Sequence, residues 1–236
     1  MSDPLTISTC CPLNSEDVSP VVSCAGRWLC EVSPDSAMAE TVAGFIRRRF
    51  HIAYGARPAL RIPNLLALTS SQDSLLAAVG IRNAARERLF LEDYLNGGVE
   101  ALIPEAGLER RRIAEIAHLA GVEAGISRYL FASLALWLKA ERYEWVVCTG
   151  TDQLRNSFRR VGIEPQVIAV ADPACLSDGG IGWGRYYDHH PMVMAVNVTA
   201  SAAILQKAGL LANTSLVGAN PNAKPIVMGG AYGFSA

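Results

Sequence analysis

Within Arg112 to Leu119 (RIAEIAHL), Glu115 interrupts an otherwise apolar run. A carboxyl group carried into a core has its proton affinity raised towards the range of a general base. The same position also suits a buried partner for Arg82 or Arg112. Three residues on, His118 can act as a base near neutral pH or simply hold a hydrogen bond. Arg82 ends the apolar run from Leu75 and can grip a carboxylate with both arms of its fork, whether a substrate's or that of Glu92 or Glu115. Glu92 and Tyr94 lie in an acidic and aromatic segment, LFLEDYL (89–95), where Glu92 can instead pair with Arg86 or Arg88. Cys148, in WVVCT (145–149), is either a nucleophile or an inert buried thiol. Tyr186 and Tyr187 follow Gly182-Trp183-Gly184 and precede Asp188-His189-His190-Pro191. Adjacent histidines on a strand point opposite ways, so no metal site is expected there.

These residues need a scaffold, and the pattern supplies one. Residues 27–33 read as a strand, and Ser36 caps a helix from Ala37 whose stripe is Val42, Phe45, Ile46 and Phe50 and which stops at Gly55. Strands are expected at 64–69 and 75–82, joined by a polar hairpin-length link, and at 112–119, where Glu115 and His118 fall on opposite faces. A long apolar helix over 127–143 leads to a buried strand at 145–149. A helix over 152–161, capped by Thr151 or Asp152, and strands at 166–171 and 192–198 complete the reading. The order predicts an α/β fold: a mixed, mostly antiparallel central sheet flanked by helices on both faces. Residues 1–25 read as a flexible lead, 26–211 as the domain, and 212–236, rich in Asn, Gly and Ala, as a tail.

Composition narrows the function classes. With 236 residues, half of them apolar, the chain can bury a full core. Twenty-one basic against 22 acidic residues leave a net charge of −1, which removes the bulk electrostatic case for nucleic acid or an anionic membrane. It also leaves self-association, as a homodimer, open. No apolar run reaches the roughly 20 residues that span a bilayer. The first residues lack a basic and then apolar leader, and the six cysteines form no paired zinc spacing. A cytoplasmic protein with reduced thiols is expected.

The segment NSFRRVGI (156–163) resembles the GNAT acyltransferase superfamily, with Phe158, Gly162 and Ile163 at the positions of that superfamily's aromatic, glycine and hydrophobic residues. VEAGIS (122–127) stands where such enzymes carry a phosphate-binding loop, whose backbone N–H groups at a helix start hold the pyrophosphate. Gly125 fits that pattern, whereas Val122 and Ser127 depart from it. A closer resemblance runs through RRFHIAYGA (48–56), GIRNA (80–84), LFLEDYL, RRRIAEIAHLAG (110–121), WVVCTGTDQLRNSFRRVGI (145–163) and WGRYYDHHP (183–191). Together these are similar to the thermostable hemolysin family, whose sheet order is in turn similar to that of acyl-homoserine-lactone and N-acyl amino acid synthases. His118 stands where that family tends to carry another residue.

The resemblance implies an acyltransferase moving an acyl group from a thioester carrier to a small amine-bearing acceptor. Two rivals are a membrane-active lytic protein and a catalytically inactive binding module of the same fold. No permanently bound cofactor is implied. The donor is acyl-CoA or an acyl-carrier protein's phosphopantetheine, with an aminoacyl-tRNA as a further alternative. A slot between the strands at 112–119 and 145–149, parted near Ile113 and Val146, admits the acyl chain. Glu115 or His118 is then the base, and Tyr186 or Tyr187 the acid. Arg82, Glu92, Tyr94, Thr149 and Trp183 touch substrate; Gly125, Ser127, Arg155, Asn156 and Phe158 hold the carrier arm. Arg110-Arg111-Arg112 is the better docking patch for a carrier protein, ahead of Arg47-Arg48-Arg49.

Overall fold

The computed structural model describes residue 11 and residues 16–60 and 64–218. In chain order the elements are β1 (Val18–Cys24), β2 (Arg27–Val32), α1 (Ala37–Tyr54), β3 (Asn64–Ser70), β4 (Leu75–Asn83), β5 (Ile113–Gly121), α2 (Ser127–Ala140), β6 (Trp145–Gly150), α3 (Asp152–Arg160), β7 (Gln166–Val170), β8 (Met192–Asn197), α4 (Val198–Lys207) and β9 (Thr214–Leu216). The strands form one sheet in the order β7-β8-β6-β5-β4-β3-β2-β1-β9. Every neighbouring pair is antiparallel except β5–β6. This is the mixed α/β architecture that the element order predicts.

Local chemistry explains the elements that hold the site. Ser36 caps α1 by accepting from the Ala39 amide at 3.0 Å, and Gly55 closes it in the left-handed region at φ 67. The stripe Val42, Phe45, Ile46 and Phe50 is buried, and α1 packs on β3, β4 and β5. On the opposite face α2 packs against β1, β2 and α4. β6 is apolar on both sides because both layers cover it.

Three sequence expectations need correction. Residues 18–24 are not a flexible lead but β1, which turns into β2 through Ala25-Gly26 with φ 48 and 74. Two consecutive positive φ values make the tight hairpin turn that matches strand twist, and an Ala in the first place hides it from sequence. The start of the tail also joins the sheet, as β9 on β1. Val198, read as the end of a strand, and residues 199–207, given no element from sequence, form α4, capped by Asn197 accepting from the Ala200 amide at 2.9 Å. The rest of the lead (1–10, 12–15) and tail (219–236) lies outside the described residues.

The sheet splits at its centre. β5 and β6 pair from Ile113↔Trp145 to Ile116↔Cys148 and no further. Beyond that point β5 stays with β4 up to Gly121, and β6 stays with β8 through Gly150. The expected slot therefore exists, but not at Ile113 and Val146, which lie in the zipped part. It opens past Ile116 and Cys148, where the two strands are drawn to different neighbours.

Candidate functional site

A bulge in β5 builds the site. Ala78 pairs Ala120 while Gly80 pairs Ala117, so β5 spends one residue more than β4 over that stretch. His118 takes up the excess with φ 53. Regular alternation would set Glu115 and His118 on opposite faces, and the bulge cancels that expectation by turning His118 to Glu115's side. Its ring lies 6.3 Å from that of Phe90, the residue whose amide donates to Glu115. Both residues line a cavity of about 230 Å³ at the split end of the sheet.

Glu115 is 2 % exposed, and its oxygens accept from the amides of Phe90 (3.0 Å) and Leu91 (2.9 Å) and from Arg82 (3.2 Å). Burial raises its pKa, against the pull of those amides and of Arg82. Arg82 is buried too and also meets Glu87 at 3.2 Å. It does not line the cavity, so of the two roles open to it the ion pair with Glu115 is the one formed. Glu92, expected to touch substrate, is likewise withdrawn. It is buried, accepts from the amides of Leu89 (2.9 Å) and Val99 (3.0 Å), and pairs with Arg110 at 2.6 Å rather than with Arg86 or Arg88. Burial pushes its carboxyl up, but Arg110 and the two amides together hold it below the usual range. These two carboxylates pin the 3₁₀ turn at Phe90–Tyr94 against the sheet.

The cavity wall is aromatic. His118 stacks on Trp183 with ring centroids 5.9 Å apart and 14° between planes, and meets the edge of Phe50 at 6.0 Å. Tyr186 packs on Trp183 at 5.1 Å and on Tyr54 at 5.2 Å. Among the described residues no hydrogen bond reaches the His118 ring. Burial and the nearby Arg82 lower its pKa to about 4, so the imidazole is neutral at physiological pH. The Tyr186 hydroxyl donates to the Thr149 carbonyl at 3.4 Å, and burial raises its pKa well above the ordinary value. Tyr187 stands off the cavity, its hydroxyl 2.7 Å from that of Tyr94, which does line it. The Trp183 loop is clamped to α1: a side chain at Gly184 would strike the Tyr54 carbonyl, and the Arg185 amide donates to that carbonyl at 2.8 Å.

Thr149 lies at the throat. It borders both the aromatic cavity and a second, apolar one of about 60 Å³ beneath α2, α3 and α4, and the two cavities also share Ile116, Leu119 and Leu154. Its buried hydroxyl has no hydrogen-bond partner among the described residues. Cys148 lines only the apolar cavity, and its pKa is pushed up to about 12 by burial and then Glu115, as befits an inert thiol. Thr151 occupies the N-cap of α3 without accepting from a helix amide; its hydroxyl instead faces that of Tyr54 at 3.4 Å, which corrects the expected cap.

Gly125 and Ser127 lie where the loop enters α2, and Ser127 lines the cavity. Gly125 is exposed with open space beside it. Arg155 and Asn156, expected at the carrier arm, point elsewhere, and Phe158 borders the apolar cavity. Arg155 is held by Asp152, Asn156 faces solvent, and Phe158 stacks on Phe131 at 4.6 Å inside the core. The face of α3 that borders the cavity carries Gln153, Leu154 and Ser157 instead. Ser157 follows Gln153 by four residues and Leu154 by three, so helical spacing gathers the trio on one face, and Tyr54 and Phe50 sit one turn apart on α1 in the same way. The cluster Arg110-Arg111-Arg112 is not a free docking patch, since its members pair with Glu92 and Glu100, Glu109, and Glu144 respectively. Arg49 lines the cavity and donates to the Val122 carbonyl at 3.0 Å.

A mixed sheet whose central parallel pair parts over a cavity, flanked by helices on both faces, defines a GNAT-like fold. By sequence, the family model described as thermostable hemolysin matches residues 32–202, and the chain belongs to that family. Among solved structures, FeeM, an N-acyl amino acid synthase from uncultured soil microbes, aligns over 78% of this chain and 93% of its own with TM-score 0.51 at 13% identity. TofI in an apo form aligns over 80% and 96%, with TM-score 0.50 at 12% identity. The AHL synthase LasI aligns over 77% and 91%, with TM-score 0.47 at 13% identity. No curated protein matches the chain significantly by sequence. Among the described residues no helix is long and apolar enough to cross a membrane, and no group of three or more His, Cys, Asp or Glu side chains is placed to hold a metal ion.

Proposed function

We propose that this protein transfers an acyl group from a thioester carrier to a small amine-bearing acceptor. The observation that carries the reading is the parting of β5 from β6 beyond Ile116 and Cys148, with a polar-rimmed cavity on one side of the gap and an apolar one on the other. The thioester carbonyl sits in the gap, its acyl chain runs past Thr149 into the apolar cavity, and the carrier arm leaves between Ser127 and Ser157. Backbone groups of the β5 bulge, freed from β6, polarise the carbonyl as its oxygen gains charge.

His118 is the group that receives the proton of the attacking amine. It is neutral, open to the cavity and without a hydrogen-bond partner among the described residues, whereas Glu115 has its oxygens engaged and positions the Phe90–Tyr94 turn. Tyr186, protonated throughout the working range, returns a proton to the leaving thiolate. The donor is acyl-CoA or an acyl-carrier protein, and the two are separated by supplying each in turn with amine acceptors and following free thiol. Thiol release with one carrier, reduced at least about a hundredfold in His118→Ala, is the expected result. No thiol from either carrier overturns the reading, and undiminished turnover in His118→Ala overturns the role of that residue.

A further inference from the structure

The acceptor's chemical class is written in the charge of its chamber. Glu115 is taken up by Arg82 and two backbone amides, and Arg82 is turned towards Glu115 and Glu87. The other charged residues bordering the cavity, Arg49 and Glu123, stand on its rim, where Arg49 already donates to the Val122 carbonyl. Deeper in, the walls are Phe50, Tyr54, Phe90, Trp183, Tyr186 and the His118 ring, with centroid spacings of 5.1 to 6.3 Å between neighbours. A carboxylate carried past Arg49 into that enclosure meets no further lysine or arginine among the lining residues to replace its lost hydration. A flat ring entering the cavity has aromatic faces and edges to pack against.

Resting on the acyl-transfer reading, we infer that the accepting molecule is an arylalkylamine without a carboxylate: an aromatic ring on a short chain ending in a primary amine. The ring packs against the wall that Phe90 and Trp183 form together, their own centroids 5.9 Å apart, and the amine points at His118. The dry aromatic wall disfavours the ammonium form, which helps to free the lone pair for attack. In the transfer the nitrogen bonds to the thioester carbonyl carbon and the C–S bond breaks. The nitrogen's proton leaves through His118 and the sulfur leaves as a thiol. One amide and one thiol form per acyl group, and no further reactant is consumed.

Tyramine and L-tyrosine differ only by the carboxylate, so they test the inference directly. Binding of each to the full chain is measured by quenching of tryptophan fluorescence or by calorimetry, with no donor present. Turnover of each, and of hexylamine, is measured with the carrier that releases thiol. The expected result is at least about a hundredfold preference for tyramine over tyrosine, in affinity and in kcat/KM, and a preference for tyramine over hexylamine. Equal or better use of tyrosine overturns the inference and leaves acyl transfer standing, as does a preference for hexylamine. If no acceptor yields thiol, acyl transfer falls and the binding measurement alone decides: tighter tyramine supports the chamber's assignment, and equal or tighter tyrosine refutes it.

Discussion

Two buried polar regions lie within a few residues of each other on β5, and they are built on opposite terms. Around Glu115, Arg82, Glu92 and Arg110, each carboxylate is met by a guanidinium and by backbone amides. Around His118 and Thr149, the imidazole faces a cavity and the hydroxyl is left without a partner. The first region ties the Phe90–Tyr94 turn to the sheet and so fixes one wall of the chamber. The second keeps its polar atoms uncommitted, which costs stability and leaves them available to a ligand. Sequence alone offers Arg82, Glu92 and Glu115 as site residues beside His118, Tyr94, Trp183 and Tyr186. The structure ties the first three into ion pairs, while the other four line the cavity.

The largest test of this contrast is Glu115→Ala. It leaves Arg82 buried with its main partner gone and two amides unsatisfied, and should lower unfolding free energy by about 3 to 5 kcal/mol in urea titration. A loss below about 1 kcal/mol would mean that the first region is not the scaffold it looks to be.

Acid should expose the second region. The His118 pKa is near 4 when folded against an ordinary 6.5, so the unfolded chain binds the extra proton first. Its contribution is intact above about pH 6.5 and is lost as pH falls towards 4, amounting to about 3 kcal/mol. His118→Phe should flatten that part of the curve, and an unchanged slope between pH 6.5 and 4 would contradict a buried neutral imidazole. Glu92, depressed when folded, acts in a lower window: its contribution is present above the ordinary carboxylate pKa and disappears below it. Glu92→Gln should therefore cost about 1 to 3 kcal/mol at neutral pH and much less in strong acid.

Thr149→Val gives the smallest stability effect. Removing an unpartnered hydroxyl should be neutral or stabilising by less than about 1 kcal/mol, while transfer kinetics change because the throat has changed. A clear destabilisation would show that the hydroxyl has a partner after all.

Much of the scaffold was legible in the chain. Ser36 and Gly55 bracket α1, apolar runs mark β3, β4 and β6, and the family's segments recur in order. The helix α4 and the Ala25-Gly26 hairpin escaped because a capping Asn inside an apolar stretch and an Ala in a left-handed turn give weak local signals. In the site, Glu115, His118, Tyr94, Trp183 and Tyr186 were singled out and converge on the cavity. Arg155 and Asn156 share the stretch of chain but line neither cavity, and Phe158 borders the apolar one. Tyr54, Gln153 and Ser157 were passed over because nothing nearby in sequence marks them.

Residue types and their periods determined which segments become helix or strand, since apolar spacing and capping act within a few residues. The partnering of distant groups was decided only in three dimensions. A one-residue bulge in β5 turned His118 to Glu115's side, and a change of strand partners opened the gap past Ile116. Both follow from register between strands far apart in the chain, where hydrogen-bond pairing across the sheet outweighs the alternation that a single strand would show.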